Sequence, residues 1–249
     1  MGIYYENNKY PYLYETHLHT NQASACANHS GSEMALALHQ AGYSGMYVTD
    51  HFYYGNSSIS KQLSWTDWVE AFTKGYEDAK KTGDKLGLQV FLGWESCYQG
   101  TEFLIYGLNK EWLLKHPEIK DATIPEQFEL VDQASGIVIH AHPFRKEWYI
   151  PDIRLYPEYV HGVEVINATH SNRNSVSHNN PEFDTKAKTY AIEHNLAMTG
   201  GSDIHSTLLF GGGVAFREKL ITEQDYCIAI KQRKEYQIFN GNEDYYKTV

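Results

Sequence analysis

Short apolar runs alternate with longer amphipathic stretches along most of the chain, and this alternation predicts an α/β fold. The apolar runs predict strands at 12–14, 45–49, 88–94, 137–140, 162–166, 197–200 and 213–216, with a short strand at 101–106. The amphipathic stretches predict helices from a capping box at 30–33 to Gly42 and over 66–81, 125–135, 182–195 and 223–234. The segments 52–64 and 144–160 are predicted as irregular loops. Strand–helix–strand units with right-handed crossovers then favour a barrel.

The size and charge of the chain narrow its class. A length of 249 residues suits one barrel-type domain over 1–249. The net charge of −10 argues against a general nucleic-acid binder, so no long nucleic acid is expected as a partner. The three cysteines contain no CxxC pair and predict no disulfide framework. Without a signal-peptide pattern or a run of ~20 apolar residues, we expect a cytoplasmic protein with no membrane partner. The oligomeric state stays open.

Metal-ligating side chains follow five of the predicted strands. In chain order they are His17 and His19, Asp50 and His51, Glu95, His140 and His142, and Asp203 and His205. In extended backbone His17 and His19 point to the same side, because side chains alternate with a period of two. The carboxyl ends of barrel strands share one face of the barrel, so side chains from five strand ends can meet there. Imidazoles and carboxylates together predict a divalent-metal site.

These residues fall into five motifs with a definite order. They are His17-x-His19, Thr49-Asp50-His51, Gly93-Trp94-Glu95, Ala141-His142-Pro143 and Gly201-Ser202-Asp203-x-His205. The ordered set, which spans about positions 13 to 216, resembles the PHP (polymerase and histidinol phosphatase) family. The resemblance implies an α/β fold, namely a distorted (β/α)7 TIM-like barrel of PHP type. It also implies a centre of two or three divalent metal ions that hydrolyses phosphoesters. The family also contains exonuclease and inactive domains of DNA polymerases.

The resemblance implies a ligand set. Matching positions assign His17, His19, Glu95 and Asp203 to a first metal, Glu95 and His142 to a second, and His51 and His205 to a third. A carboxylate can bridge two metals about 3.5–4 Å apart, and Glu95 is the expected bridge. Mn²⁺, Fe²⁺ and Zn²⁺ all accept such ligands, so the metal stays open.

Some ligand positions have alternatives. Glu102 stands where many relatives carry a further histidine for the second metal, and His140 competes with His142 from the same strand face. We favour a position for His140 in the core or behind the ligands. Trinuclear relatives take another ligand from the loop after the first motif; here His29 could reach, although a solvent-exposed His29 is favoured. A two-metal centre is therefore an alternative, and Asp50 is expected to orient a neighbouring ligand.

Substrate recognition is expected from arginines and an amide beside the strand ends. Arg145, three residues after His142, can bind a phosphate through two hydrogen bonds from its guanidinium. Arg173 and Asn167 follow another strand end. Either arginine could instead form a surface salt bridge. Together with Glu95 and Asp203, Arg145 is the expected catalytic machinery.

The predicted function is hydrolysis of a small phosphomonoester by a metal-bound hydroxide. The substrate would resemble histidinol phosphate, a nucleotide or a sugar phosphate. One alternative is an amidohydrolase-type enzyme that cleaves a C–N or C–O bond, although such enzymes often use a carbamylated lysine where this chain has Glu95. The other alternative is a non-catalytic metal-binding module.

Overall fold

The computed structural model of the chain describes residues 7, 9–171, 175, 178–208, 211–233, 235–240 and 247–248. Its strands are Tyr12–Glu15 (β1), Gly45–Val48 (β2), Gln89–Tyr98 (β3), Thr101–Tyr106 (β4), Ile137–His140 (β5), Gly162–Asn167 (β6), Ala197–Gly201 (β7), Gly213–Phe216 (β8), Tyr236–Phe239 (β9) and Lys247–Thr248 (β10). They form one sheet in the order β10-β9-β8-β1-β2-β3-β4-β5-β6-β7. Arg173, the second candidate phosphate-binding arginine, lies outside the described residues.

The helices cover the strands. They are Gly31–Gln40 (α1), Trp65–Phe72 (α2), Lys74–Leu86 (α3), Lys110–Lys115 (α4), Ile124–Gln133 (α5), Ala168–Ser171 (α6), Glu182–Glu193 (α7) and Glu223–Lys231 (α8). The predicted capping box at the start of α1 is confirmed, because Ser30 Oγ accepts from Glu33 N and the Glu33 carboxylate accepts from Ser30 N. The fold is α/β, as the sequence predicts.

The prediction of one helix over 66–81 is wrong, because α2 ends at Phe72 and α3 begins at Lys74, with Thr73 between them. The Thr73 hydroxyl donates to the carbonyl of Val69 at 3.0 Å, a contact that competes with continuous helix. The following Gly75 lies against the loop after β1, where an added Cβ would come within 2.0 Å of Thr20 Oγ1. Only glycine therefore fits this contact between α3 and the segment that carries the first histidines.

The strand that carries Glu95 does not end at Trp94 as predicted. It runs on to Tyr98 and turns through Gln99 and Gly100, both with positive φ (53° and 84°), into antiparallel β4. Two residues with positive φ are typical of a tight type I′ hairpin turn. Strands β1 to β3 and β5 to β7 pair in parallel, whereas β4 pairs antiparallel with β3 and β5. This hairpin without a helix is one distortion of the barrel, and another is β8, which pairs antiparallel with β1 and β9.

The sheet curls until its parallel half meets the strands at its other edge. A Cβ added to Gly200 in β7 would lie 2.4 Å from Ile238 Cγ2 in β9, so the two strands are in close contact. Beyond β1 and β7 the chain forms a parallel bridge, in which His19 N donates to Ile204 O at 2.9 Å. The barrel is thus nearly closed at the end where the predicted metal ligands lie. In the part of the chain that the structure describes, every helix is too short or too polar to cross a membrane.

Candidate metal centre

Side chains from the carboxyl ends of the barrel strands converge as predicted. His17, His19, Glu95, His142 and Asp203 are each at most 5% exposed. His51 is also buried, whereas the side chain of His205 is 31% exposed, so the centre opens to solvent at His205. Ligand atoms lie within 4.8 Å of one another in four groups: His17, Glu95 and His142; His17, His19 and Asp203; His19, His51 and His205; and His51, Glu95 and Glu102. The groups overlap, so the centre is continuous.

Glu95 lies in the middle of the centre and divides its two oxygens between two groups of histidines. Oε1 is 3.2 Å from Nε2 of both His17 and His142. Oε2 is 2.8 Å from Nδ1 of His51 and 3.6 Å from Nε2 of His19. A carboxylate with imidazoles around each oxygen has the arrangement that a bridge between two cations requires.

Asp203 supplies a second carboxylate beside Glu95. Its Oδ1 lies 3.2 Å from His19 Nε2 and 3.4 Å from His17 Nε2. The backbone of Asp203 has φ +56°, and that of His142 has φ +26°. Non-glycine residues with positive φ are uncommon and concentrate at functional sites, where the surrounding structure holds them in place.

Several buried polar atoms of the centre would be better satisfied by a metal ion than by their protein neighbours. Among the described residues, His17 Nε2, His19 Nε2, His51 Nδ1 and Glu95 Oε2 are shielded from solvent and lack a hydrogen bond of good geometry, although His51 Nδ1 and Glu95 Oε2 lie 2.8 Å apart. Buried polar atoms without a partner are costly in a folded protein. Since all four point toward neighbouring nitrogen or oxygen ligands, divalent cations would satisfy them together. Mixed imidazole and carboxylate ligands suit Mn²⁺, Fe²⁺ or Zn²⁺.

Two buried glutamates that the sequence did not single out hold the first histidine motif. Glu164 Oε1 lies 2.9 Å from His17 Nδ1, a contact that keeps a proton on Nδ1 and leaves Nε2 as the nitrogen that would bind a cation. The other oxygen of Glu164 accepts from the backbone N of His142 at 3.0 Å. Glu15 accepts from the backbone N of His17 and of Ser202, at 2.9 and 2.8 Å. A lone charge inside the apolar strand Gly162–Asn167 is the signal that could have identified Glu164.

The charges of the metal-free centre shift each other's protonation. Burial opposes the charged form of His17, yet the carboxylates of Asp203, Glu164 and Glu95 raise its pKa well above the usual value. Burial likewise opposes the charge of Glu95, but His17 and His51 hold its pKa well below the usual range. In the metal-free centre, Glu95 and the histidines beside it therefore favour each other's charged forms.

The pKa values of His51 and His19 shift in opposite directions: burial opposes the charge of His51, but Glu95 raises its pKa well above the usual value. Burial, together with His51 and His205, lowers the pKa of His19 well below its usual value. Burial alone would raise the pKa of the Cys26 thiol, but its contacts with His205 and His51 lower it to about 6.

Comparisons with known proteins place the fold. The sequence matches no family model and no curated protein. In structure, the chain is similar to a two-domain protein from Bacteroides vulgatus that contains a predicted PHP-like metal-dependent phosphoesterase. The TM-score is 0.67 at 14% identity, over 96% of this chain and 68% of that one. The chain has the fold of the PHP-like phosphoesterases.

The chain is similar in structure to two further solved proteins. A proposed metal-dependent phosphoesterase from Bifidobacterium adolescentis has a TM-score of 0.50 and 16% identity, over 77% of this chain and 87% of that one. An amidohydrolase from Chromobacterium violaceum, with bound sulfate and no metal, has a TM-score of 0.51 and 13% identity, over 78% of this chain and 87% of that one. The nearly closed α/β barrel that the sequence predicted is thus confirmed.

The alternative ligands take different places around this centre. Glu102 Oε2 lies 3.6 Å from His142 Nε2, so Glu102 belongs to the cluster. His140 instead stacks on Phe103, with ring centroids 4.9 Å apart, and burial beside His142 lowers its pKa to about 3. It sits in the core behind His142, as favoured from the sequence. His29 is not brought into the cluster, because both its ring nitrogens lie 3.3 Å from atoms of Thr207.

Asp50 orients the loop that follows β1. It accepts from the backbone N of Thr20 at 2.6 Å and from Ser24 Oγ at 2.7 Å. The same Ser24 Oγ lies 3.3 Å from His19 Nδ1 and accepts from His51 N at 3.0 Å. Asp50 thereby fixes His19 with Nε2 turned into the centre, the role that the sequence suggested.

The two described substrate candidates are both buried. Arg145 is 5% exposed; its Nη2 lies 2.6 Å from Asp203 Oδ2, and its Nε donates to His170 Nε2 at 3.2 Å. Asn167 is fully buried, and its amide donates to Glu164 at 3.1 Å and accepts from Thr169 N at 3.1 Å. The structure thus uses the Asn167 side chain to hold Glu164, behind His17, and does not place it at a substrate-accessible surface.

Proposed function

We propose that this chain is a metal-dependent phosphoesterase of the PHP family that hydrolyses a small phosphomonoester. One observation carries the proposal: Glu95 sets Oε1 at 3.2 Å from His17 and His142 and Oε2 at 2.8 Å from His51. A carboxylate placed in this way can hold two cations at a working distance. Two-metal centres of this kind hydrolyse phosphate esters by stabilising both the attacking and the departing oxygens.

The ligand assignment follows the positions that match the PHP motifs, with Glu102 added because its Oε2 lies 3.6 Å from His142 Nε2. His17, His19, Asp203 and Glu95 would hold one cation, and Glu95, His142 and Glu102 would hold a second. His51 and His205 would contribute to a third position. When bound, the cations would lower the pKa of water and offset the negative charge of a phosphoryl group. Fixed ligands from a rigid barrel would keep that arrangement pre-organised.

The residues of the chain have distinct roles in this proposal. Glu164 fixes the tautomer of His17 through the 2.9 Å contact to Nδ1. Arg145, held by Asp203 and His170, places a permanent positive charge beside the centre, where it would neutralise phosphoryl oxygens in the transition state. The guanidinium is buried with its carboxylate partner, so its position is set before substrate arrives.

The substrate is expected to be small. The formal charge of −10 disfavours a long polyanion, while a short phosphorylated molecule can be bound by local positive charge at the centre. Histidinol phosphate, nucleotides and sugar phosphates remain the candidate classes. Mn²⁺, Fe²⁺ and Zn²⁺ remain the candidate metals.

The amidohydrolase alternative has one structural argument, the similar barrel of the Chromobacterium violaceum protein. The bridging position argues against it, because here a glutamate stands between the histidine groups. A non-catalytic metal-binding module is the other alternative. Its weakness is that four ligand groups and the buried Arg145 are all assembled together.

The test is a substrate panel on metal-reconstituted protein. Histidinol phosphate, nucleotides, sugar phosphates, an uncharged ester and an amide would be compared, with Glu95→Gln as the inactive control. The proposal expects phosphate release from at least one phosphomonoester that depends on added metal and is lost in Glu95→Gln. Faster cleavage of the uncharged ester or amide than of any phosphate would replace it with the amidohydrolase function.

A further inference from the structure

Arg145 contacts a buried imidazole that is itself paired with a carboxylate. The imidazole belongs to His170 in the short helix α6 after β6, and the carboxylate to Asp184 in the first turn of α7. The two residues are 1% and 9% exposed. His170 Nδ1 lies 2.6 Å from Asp184 Oδ1, and Arg145 Nε donates to His170 Nε2 at 3.2 Å. A chain of buried polar contacts therefore leads from Asp184 through His170 to Arg145.

These contacts define the tautomer of His170. Because a guanidinium has only N–H donors, His170 Nε2 must offer its lone pair to Arg145. A neutral imidazole carries one N–H, so its proton is on Nδ1, where the Asp184 carboxylate accepts it. Burial and the positive charge of Arg145 hold the pKa of His170 well below its usual value, which keeps the ring neutral. A protonated or reversed ring would turn an N–H toward the guanidinium and lose this contact.

The guanidinium of Arg145 is held at two of its nitrogens. Nη2 lies 2.6 Å from Asp203 Oδ2 and donates to Thr169 Oγ1 at 3.3 Å, while Nε donates to His170. Contacts to two nitrogens of a planar group fix both its position and its rotation. None of these contacts uses Nη1. Arg145 also lines a small cavity together with His142, so the guanidinium borders the candidate second metal position.

We propose that His170, fixed by Asp184 in the tautomer with its proton on Nδ1, is a positioning residue that orients Arg145 toward the phosphoryl group of the substrate. The inference rests on the proposed function, because it takes Arg145 to bind that group. Without an acceptor at the place of Nε2, the guanidinium would keep its contact with Asp203 but could rotate about it. An arginine that turns away loses its transition-state contact, although its charge remains.

Two substitutions separate the two contacts of His170. Glutamine can place an amide oxygen near the position of Nε2 and accept from Arg145, whereas asparagine reaches only the position of Nδ1 and keeps the contact with Asp184. The probes are p-nitrophenyl phosphate and the best phosphomonoester of the substrate panel, with metal-loaded full-length protein. His170→Asn should lower kcat/KM by a factor on the order of 10–10² at unchanged metal content. His170→Gln should recover most of this loss.

His161 provides a matched control, because it also pairs with an aspartate. Its Nε2 lies 2.9 Å from Asp132 Oδ1, and it directly precedes β6, at the opposite end of that strand from His170. His161→Asn should therefore keep the wild-type kcat/KM.

A double-mutant cycle distinguishes positioning from a general loss of structure. If His170 acts through Arg145, His170→Asn should have no further effect on kcat/KM in Arg145→Ala protein. A purely structural role would lower kcat/KM by the same factor in both backgrounds, and that result would overturn the inference. Wild-type activity of His170→Asn would overturn it as well.

The tautomer can be measured without a substrate. The ¹⁵N NMR spectrum of the histidine side chains in Zn²⁺-loaded protein should show His170 as a neutral ring with its proton on Nδ1 at neutral pH. A proton on Nε2 would overturn the inference and leave the proposed function standing. A wild type that hydrolyses no phosphomonoester would overturn both.

Discussion

The guanidinium of Arg145 and the carboxylate of Asp203 form a buried ion pair, with Nη2 of the arginine 2.6 Å from Oδ2 of the aspartate. The other oxygen of Asp203, Oδ1, faces His19 and His17 at 3.2 and 3.4 Å. The two oxygens of Asp203 therefore face different neighbours, Oδ2 an arginine and Oδ1 a candidate metal position. This division leaves Oδ1 as its metal-binding oxygen and places a fixed positive charge at the edge of the centre.

Replacement of Arg145 should separate chemistry from metal binding. Arg145→Ala should retain bound metal, because the guanidinium pairs with Oδ2 of Asp203, whereas Oδ1 is the oxygen that faces the histidines. Its kcat/KM for a phosphomonoester should fall by a factor on the order of 10²–10³, the usual scale for the loss of one transition-state partner. Metal analysis and steady-state kinetics measure the two effects.

Arg217→Ala is the matched control for Arg145→Ala. Arg217 pairs with Glu235 at the surface, and its side chain is 51% exposed. Its loss should leave kcat/KM unchanged. Full activity of Arg145→Ala on every phosphomonoester tested would refute the role assigned to that guanidinium.

Glu164 should control metal affinity without being a ligand. In Glu164→Gln an amide N–H₂ would face either His17 Nδ1 or the backbone N of His142, both of which donate to the native carboxylate. Loss of such a supporting carboxylate costs about 10–100-fold in metal affinity. Competition with a chelating dye measures it. Glu193→Gln, at an exposed position in α7, should bind metal normally; equal affinity of the two variants would contradict the assignment.

Metal binding at neutral pH should release protons. In the metal-free chain, burial opposes the charge of His17, but Asp203, Glu164 and Glu95 raise its pKa well above the usual value, so the imidazole is protonated at pH 7. That proton stabilises the metal-free fold below the unfolded pKa of about 6.5, and the contribution is lost as pH rises through the raised pKa. A cation must displace it.

Calorimetric titrations in buffers of different ionisation enthalpy measure this proton release. The apparent enthalpy of metal binding should change with the buffer, in the direction of proton release from the protein. Lowering the pH should weaken binding, because protons compete for the same nitrogen. Proton uptake, or an enthalpy that does not depend on the buffer, would contradict the charge state given to His17.

Much of the centre could be predicted from the sequence, because its ligands come from local patterns. The histidines at 17 and 19 share one side of an extended segment, and the apolar runs before Asp203 and His142 end where a barrel brings strands together. The capping box of α1 is also a local signal, set by Ser30 and Glu33. These features depend on neighbours in the chain and hardly on the tertiary fold.

The remaining parts depend on contacts between distant residues. The turn at Gln99 and Gly100 makes β3 and β4 a hairpin, although a glutamine with positive φ is an unusual choice there. Glu164 looks like a stray charge until His17, 147 residues earlier, is placed against it. Pattern reasoning could find the ligands but not the groups that hold them.

The central claim is that Glu95 holds the cations that make this barrel a phosphoesterase. The most direct test follows phosphate release while chelator-treated protein is titrated with Mn²⁺, with wild type and Glu95→Gln side by side. The account predicts no release without metal and a rise in the wild type that is complete only after the second ion per chain. Glu95→Gln should stay near background throughout, since an amide is a poor bridge between two cations. Equal activity of the two proteins, or full activity in chelator, would contradict it.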